Sequence, residues 1–401
     1  MQGWVGYVML HCMEAYSLYL HIPFCQKRCS YCDFNTFAGM QHLIPGYVAA
    51  LQEEIRRMGE AAGEPKPVHT IFFGGGTPSL LSADQFKGIL TAIQAGFAVL
   101  EGAEITLEAN PGTVNQQSLS ELAGLGFNRI SFGVQSFQTG ELRLMGRIHS
   151  AKDALQSVEW AREVGFDNLN LDLIFGLPGQ TMESWEGTLG RLLEVRPEHV
   201  SLYALTVEEG TALSEWVEGG LVQAVDDDLA ADMYETAGAQ LERAGYQQYE
   251  ISNWALPGRE CRHNLQYWRM QPYLGLGAAA HGYVPGRRMA NVGTIGGFIQ
   301  RIQQGGQEEF PFSPANESRT MLSAAEERGE FMMVGLRLTQ EGISEAEFKR
   351  RFGLKLMDVF GNQLVKLVDR KLLEWIPGEQ KRIRLTKYGR LLGNQVFVEF
   401  V

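Results

Sequence analysis

The sequence lacks any apolar run approaching the roughly 18 consecutive residues that a membrane-spanning helix requires. Its opening stretch, MQGWVGYVMLHCMEAY, has no basic segment ahead of a short apolar run, so neither a signal peptide nor a transmembrane segment is expected and a cytoplasmic protein is. Cysteine is scarce, at five in 401 residues, which excludes a disulfide framework and fits a reducing compartment. Positive charge is in deficit, with a formal net charge of −12, so nucleic acid is not an expected partner of the chain as a whole. Low-complexity tracts and repeats beyond a strand–helix alternation are missing. The triple glycine in FFGGGTPS is neither a Walker A loop nor GxGxxG. What remains is 45% hydrophobic, enough for one large domain and a smaller one.

From Leu18 to about Leu205 the runs LYLHI, HTIFF, EITLEAN, RISFGVQ, LNLDLIFG and VSLYALT alternate with amphipathic stretches such as YVAALQEEIRRMGE and SAKDALQSVEWAREVG. This is the pattern of βα units feeding a parallel sheet, and six in succession predict an α/β barrel or part of one. After Thr206 the pattern loosens into a helix predicted from Asp226 to Ala244, an aromatic stretch YQQYEISNWALPGRECRHNLQYW and a glycine-rich YLGLGAAAHGYVPG. From about Ser323 the chain reads as helices, with a capping box at Ser344 and Glu347, and then as a hairpin in LLEWIPGEQKRIRLT. The expected division is a core barrel over 1–250, a connecting segment over 251–320, and a smaller, mainly helical, winged-helix-like domain over 321–401. Residues 349–390 carry twelve Lys and Arg against four acids, a surplus of eight that leaves −20 on the remainder.

Three of the five cysteines, Cys25, Cys29 and Cys32, form CxxxCxxC at the end of the first strand. A loop that short lets three thiolates converge on one inorganic centre, and thiolates are the usual ligands of iron-sulfur clusters. Three ligands on a four-iron cube leave one iron open to an exchangeable ligand. The alternatives are a zinc site completed by His21 or His42, or three unrelated buried thiols.

The active site of a βα barrel lies at the C-terminal ends of its strands, and unusual residues recur there. FFGGGTPS follows the second strand, Glu108 ends the third and Gln135 the fourth, Asp172 lies in the fifth, and Tyr203 and Ala204 end the sixth. Alone, the glycines read as a tight turn that also admits close approach of a ligand. Glu108 and Asp172 are acids in apolar strands and need donors: ribose hydroxyls, an ammonium, or Arg129 and Arg147 in a structural ion pair.

With Tyr31 as the aromatic before the last cysteine, CxxxCxxC resembles the motif of the radical S-adenosylmethionine (SAM) superfamily. The resemblance extends from about Leu18 into the C-terminal segment through YLHIPFC, FFGGGTPS, LEANPGT, FGVQSF, DLIFGLPGQT and GLGAAAH. Together these resemble the branch containing oxygen-independent coproporphyrinogen III oxidase and the HemW heme chaperones. The resemblance implies a partial (β/α)6 TIM-like barrel with a 4Fe-4S cluster on Cys25, Cys29 and Cys32. It also implies SAM contacts at Tyr19, Tyr31, Gly75, Gly76, Thr77, Glu108, Gln135, Arg147, Asp172 and Ala204.

The oxidases of that branch read CxxxCxxCxC after a longer extension, whereas this chain has Phe34 at the last position and 24 residues before Cys25. RHNLQYW contains HNxxYW, which resembles the heme-associated motif of the chaperones, with His263 implied as iron ligand, Tyr267 and Trp268 as walls, and Arg262 and Arg269 near the propionates. Without the resemblance, a histidine among aromatics is more often structural. Cys261 does not make a CxxCH attachment site. The expected function is therefore a heme chaperone that passes heme to acceptor proteins. The rivals are a SAM-dependent coproporphyrinogen III oxidase and, less favoured, a radical SAM enzyme acting on RNA. The basic segment is expected either to dock on an acidic partner or an anionic membrane near heme acceptors, or to be a solvated face. Oligomeric state is left open.

Overall fold

The computed structural model describes residues 15–306, 309–378 and 381–401, so the expectations on the N-terminal stretch lie outside the described residues. Six parallel strands stand in chain order: β1 (Tyr16–Ile22), β2 (Pro67–Gly75), β3 (Ala98–Ala109), β4 (Arg129–Gln135), β5 (Leu169–Phe175) and β6 (His199–Ala204). One face of each is apolar. Leu18, Leu20, Ile71, Phe73, Leu107, Ile130, Phe132, Leu171, Leu173, Val200 and Leu202 are all buried in the main core against the surrounding helices. The alternate residues, among them Thr70, Glu104, Arg129, Ser131, Asn170 and Ser201, are buried and polar. A period of two within parallel strands thus marks an interior built around polar groups rather than a packed apolar barrel.

Helices α1 (Ile44–Ala61), α2 (Ala83–Gly96), α3 (Gln116–Gly124), α4 (Ala151–Glu163), α5 (Met182–Val195) and α6 (Asp227–Arg243) cover the outside. Ser82, Asn115, Ser150 and Thr181 start α2 to α5 with capping boxes. In α1 the buried Leu51, Ile55 and Met58 recur at the spacing of one helical face. α1 and α2 cross at Gly59 and Gly96, where a Cβ on Gly59 would stand 2.5 Å from the Gly96 Cα.

The sheet does not stop at six strands. Six more, β7 (Gln247–Glu250), β8 (Asn253–Ala255), β9 (Tyr273–Leu276), β10 (His281–Val284), β11 (Arg287–Asn291) and β12 (Asn316–Met321), give the order β12-β11-β10-β9-β1-β2-β3-β4-β5-β6-β8-β7. β9 runs parallel to β1 and β8 antiparallel to β6, so both edges of the parallel set are extended and the sheet stays open. The stretch expected as a connecting segment thus supplies strands of the same sheet. Its strands are short and broken by glycine, which hid them from a periodicity reading.

A second core gathers Phe331, Met332, Leu336, Phe348, Leu364, Leu367, Ile383 and Leu385 from helices Ala324–Gly335, Glu345–Phe352 and Leu356–Asp369 and a three-stranded antiparallel sheet. The hairpin forms, Leu373–Ile376 pairing with Arg382–Leu385. Ser344 accepts from the Glu347 N–H, but the reciprocal bond of a capping box is not among those formed. Ser344 also ends a strand paired with Arg382. The module is pinned to the main sheet where the Tyr283 hydroxyl donates to Glu327 and Arg351 donates to the Met270 carbonyl and the Tyr283 hydroxyl. Among the described residues, no helix is long and apolar enough to cross a membrane.

Candidate metal centre and cofactor cavity

β1 ends at Ile22, and two residues later Phe24–Cys25 pairs with Phe37–Ala38, pinching residues 26–36 into a closed loop. Cys25 is buried; Cys29 and Cys32 are half-buried. Burial pushes the Cys25 thiol up, against a hydrogen bond from the Thr77 hydroxyl at 3.7 Å. Arg147 donates to Cys29 at 3.3 Å.

The triple glycine lies directly beneath this loop. A Cβ on Gly76 would stand 2.6 Å from the Phe24 carbonyl and 3.0 Å from the Cys25 sulfur, and Gly75 adopts φ +116 against the His21 ring. FFGGGTPS is therefore both a turn and a close approach of backbone to the cysteine loop.

The zinc alternative finds no support in this arrangement. Both His21 nitrogens are taken, by the Tyr19 hydroxyl and the Asn35 carbonyl at 3.0 Å each, and His42 is exposed in the turn Gln41–Leu43. Among the described residues, no three of His, Cys, Asp and Glu stand closely enough to hold one metal ion. A cube, by contrast, spreads its thiolates over separate irons.

All fourteen candidate residues line one cavity of about 620 Å³ inside the half-barrel. Cys25, Cys29, Cys32 and Tyr31 form its upper wall. Tyr19, Gly75, Gly76, Thr77, Glu108, Gln135, Arg147, Asp172 and Ala204 come from or follow the strand ends, and His263 lies deeper. The ion pair considered for the two acids is not formed among the described residues. Asp172 accepts instead from Ser131 and Asn170, and Glu108 accepts from the Gly75 N–H at 3.0 Å. Burial, then the charge of Asp172, pushes the Glu108 carboxyl up to about 8; burial also raises Asp172. Glu108 is thus largely protonated at neutral pH and can donate as well as accept.

Several buried polar atoms in this wall have no hydrogen-bond partner among the described residues: Gln135 Oε1, Arg147 Nε and Arg129 Nε. Gln135 holds φ +68, a conformation costly for a side chain with a Cβ and one that clusters at functional sites. Unpaired donors and acceptors around a cavity beside three thiols fit a polar, multiply charged cofactor. Sequence reasoning missed Ser131, Asn170, His199 and Ser201, which also line it; the inward period of β4 to β6 was the signal that could have found them.

His263 sits in the helix Arg262–Trp268, whose N-terminus is held by Glu104 accepting from the Arg262 and His263 N–H groups. The ring is 2% exposed and stacks on Phe72 at 5.0 Å. Its Nδ1 bonds the Thr70 hydroxyl at 2.7 Å and its Nε2 the Tyr267 hydroxyl at 2.9 Å. Burial, then His69 and Arg129, pushes it down to about 3, so it is neutral. Ligation of iron through Nε2 would displace the Tyr267 hydroxyl from it. Arg262 and Arg269, expected near propionates, reach the Gly102 carbonyl and Glu341 instead.

Comparison with known proteins finds a match of residues 19–192 to the family model of the radical SAM superfamily and of residues 322–392 to that of the HemN C-terminal domain. The heme chaperone HemW of Bacillus subtilis is 39% identical over 386 residues, 96% of this chain and 99% of the relative. The heme chaperone HemW of Lactococcus lactis is 37% identical over 96% of this chain and 97% of its own length. The radical S-adenosyl methionine domain-containing protein 1, mitochondrial, of Danio rerio is 35% identical over 90% of this chain and 84% of its own. Among solved structures, coproporphyrinogen III oxidase (HemN) of Escherichia coli, a radical SAM enzyme, superposes with a TM-score of 0.82 at 25% identity. It covers 96% of this chain and 90% of its own.

Proposed function

Because the chain belongs to the heme chaperone HemW family of the radical SAM superfamily, we propose that its work is to bind heme and pass it to acceptor proteins, on a scaffold that also takes a 4Fe-4S cluster and SAM. The observation that carries this reading is likeness to the chaperones along the whole chain, 96% of it at 39% identity. Phe34, exposed where the oxidases of the branch place another cysteine, points the same way.

Cys25, Cys29 and Cys32 would hold the cluster, which when bound offers an open iron to SAM and the electron that can cleave it. The chain's own part is positional. Arg147 donates to Cys29, Thr77 donates to Cys25, and Gly75 and Gly76 let the backbone close under the loop. Glu108 in its protonated form, Asp172, Gln135, Tyr19, Tyr31 and Ala204 would meet SAM along the strand ends. Heme is cargo. The acceptors are proposed to be hemoproteins met from the cytoplasm, with the basic C-terminal segment as the docking face.

The test is anaerobic reconstitution of the full chain, assay of iron and acid-labile sulfide, and then parallel heme titration and coproporphyrinogen decarboxylation with SAM and reductant. Heme uptake and transfer without decarboxylation is the expected result. Sustained decarboxylation would return the chain to the oxidase reading that the HemN likeness keeps in view.

A further inference from the structure

The backbone of the cavity wall is most tightly wound at the end of β4. The register of β4 on β5 slips between Gly133 and Gln135, which oppose Asp172 and Leu173, so Val134 is the extra residue of a bulge. The chain then closes on itself, the Ser136 N–H donating to the Val134 carbonyl at 2.9 Å around Gln135 at φ +68. A three-residue turn about a positive φ is the rare and strained form of γ-turn, and here it falls on a residue with a Cβ. Gly133 makes room for it. A Cβ on that glycine would stand 3.0 Å from Gln135 Nε2 and 3.2 Å from Arg147 Nη2.

Strain of this kind persists only where the surroundings over-determine it, and the groups that do so come from outside the strand. His149, buried ahead of α4, donates from Nε2 to the same Val134 carbonyl at 3.1 Å. A carbonyl only accepts, so the ring proton lies on Nε2. The His149 Nδ1 meets the Asn110 side chain at 3.0 Å, and Asn110 is itself fixed just beyond β3, where it caps the turn Pro111–Thr113 by accepting from the Gly112 N–H. On the far side of the turn the buried Ser136 hydroxyl donates to Glu141. His149 thus ties the end of β4 to the end of β3.

His149 is not among the residues that line the cavity, so it does not touch what binds there. Gln135 does line it, and its buried Oε1 has no hydrogen-bond partner among the described residues. A donor on the ligand would satisfy that oxygen.

We propose that His149 is a positioning residue for SAM, holding the strained Val134–Ser136 turn so that the Gln135 amide is set before the ligand arrives. The proposal rests on the reading above that Gln135 meets SAM. An amide fixed in advance spares the ligand the cost of ordering the turn, so the His149 bond reaches SAM affinity through Gln135 alone.

The full chain, anaerobically reconstituted, is titrated with SAM as wild type, His149→Leu, His149→Gln, Gln135→Ala and the double variant His149→Leu with Gln135→Ala. Equilibrium affinity is read beside iron and sulfide content and the electron paramagnetic resonance of the reduced cluster, which SAM perturbs when it binds the open iron. Leucine fills the space of the ring without a donor; glutamine places an amide nitrogen where Nε2 stood. His149→Leu keeps its cluster and loses about tenfold in SAM affinity, and His149→Gln recovers most of it. Gln135→Ala also binds SAM more weakly, and the double variant binds no more weakly than Gln135→Ala. Loss of the cluster in His149→Leu, an affinity equal to wild type in that variant while Gln135→Ala is weakened, or additive losses in the double variant overturns the positioning role and leaves Gln135 as a SAM contact. Wild-type affinity in Gln135→Ala overturns the reading of Gln135, and the role of His149 with it.

Discussion

Arg147 reaches Cys29 across 118 residues of sequence and also donates to the Gly133 carbonyl, so its charge is fixed in place beside the thiol. Arg147→Ala removes the hydrogen bond that holds the Cys29 sulfur, and cluster affinity should fall on the order of tenfold. Iron and acid-labile sulfide per chain after limiting reconstitution measure this; contents equal to wild type would assign Arg147 to the polypeptide alone. Glu54 is a second residue whose environment makes a prediction. Burial pushes its carboxyl from 4.5 up to about 7, against the donors Ser313, Gly277 and Asn291. An acid raised in the folded state contributes its full stability below the unfolded value and loses it as pH rises through the folded one. Stability should therefore decline between about pH 4.5 and 7 by on the order of 3 kcal/mol from this group. In Glu54→Gln that part of the slope in denaturant midpoint against pH should vanish, and an unchanged slope would refute the assignment.

At the scale of elements, α1 and α2 approach through Gly59 and Gly96, leaving no room for a methyl group between them. Gly59→Ala should force the helices apart and cost about 1–3 kcal/mol, read from urea unfolding, despite alanine's better helix propensity. A gain in stability would show that the crossing relaxes freely. The basic C-terminal element is less bare than its composition suggests, because Lys366 pairs with Glu399, Lys387 with Glu242 and Arg351 with Glu327. Lys355 and Lys371 are exposed and enter no ion pair among the described residues. Lys355→Glu with Lys371→Glu should slow heme transfer to an acceptor and weaken its salt dependence while leaving heme uptake unchanged. Equal transfer rates across salt would leave this face solvated and nothing more.

For the molecule as a whole, the twelve-stranded sheet joins residues 16–22 to residues 273–276, and the C-terminal module is fastened to it by Tyr283, Glu327 and Arg351. Arg351 is 16% exposed and donates twice to that junction, so Arg351→Ala should cost about 1.5–3 kcal/mol and separate an early melting step from the main transition. A single transition at the wild-type temperature would show that apolar packing alone holds the module. The parallel strands were legible because their outer faces alternate Ile, Leu, Phe and Val, and the cysteine loop because CxxxCxxC is local. Strands β9 to β12 were not legible, being short and stabilised by partners such as β1, over 250 residues away in sequence. His263 was read from its aromatic neighbours, but whether its nitrogens are free depends on Thr70, 193 residues away.

The amino-acid order by itself determined three thiols within one loop, an alternation of strands and helices, and a run of motifs at strand ends, because each depends on neighbours a few residues apart. Only the tertiary structure decided that those motifs share one cavity, that Glu108 is held largely protonated there, and that both ring nitrogens of His263 are hydrogen-bonded. Burial and hydrogen-bond competition are set by residues far apart in the chain, and no local pattern records them.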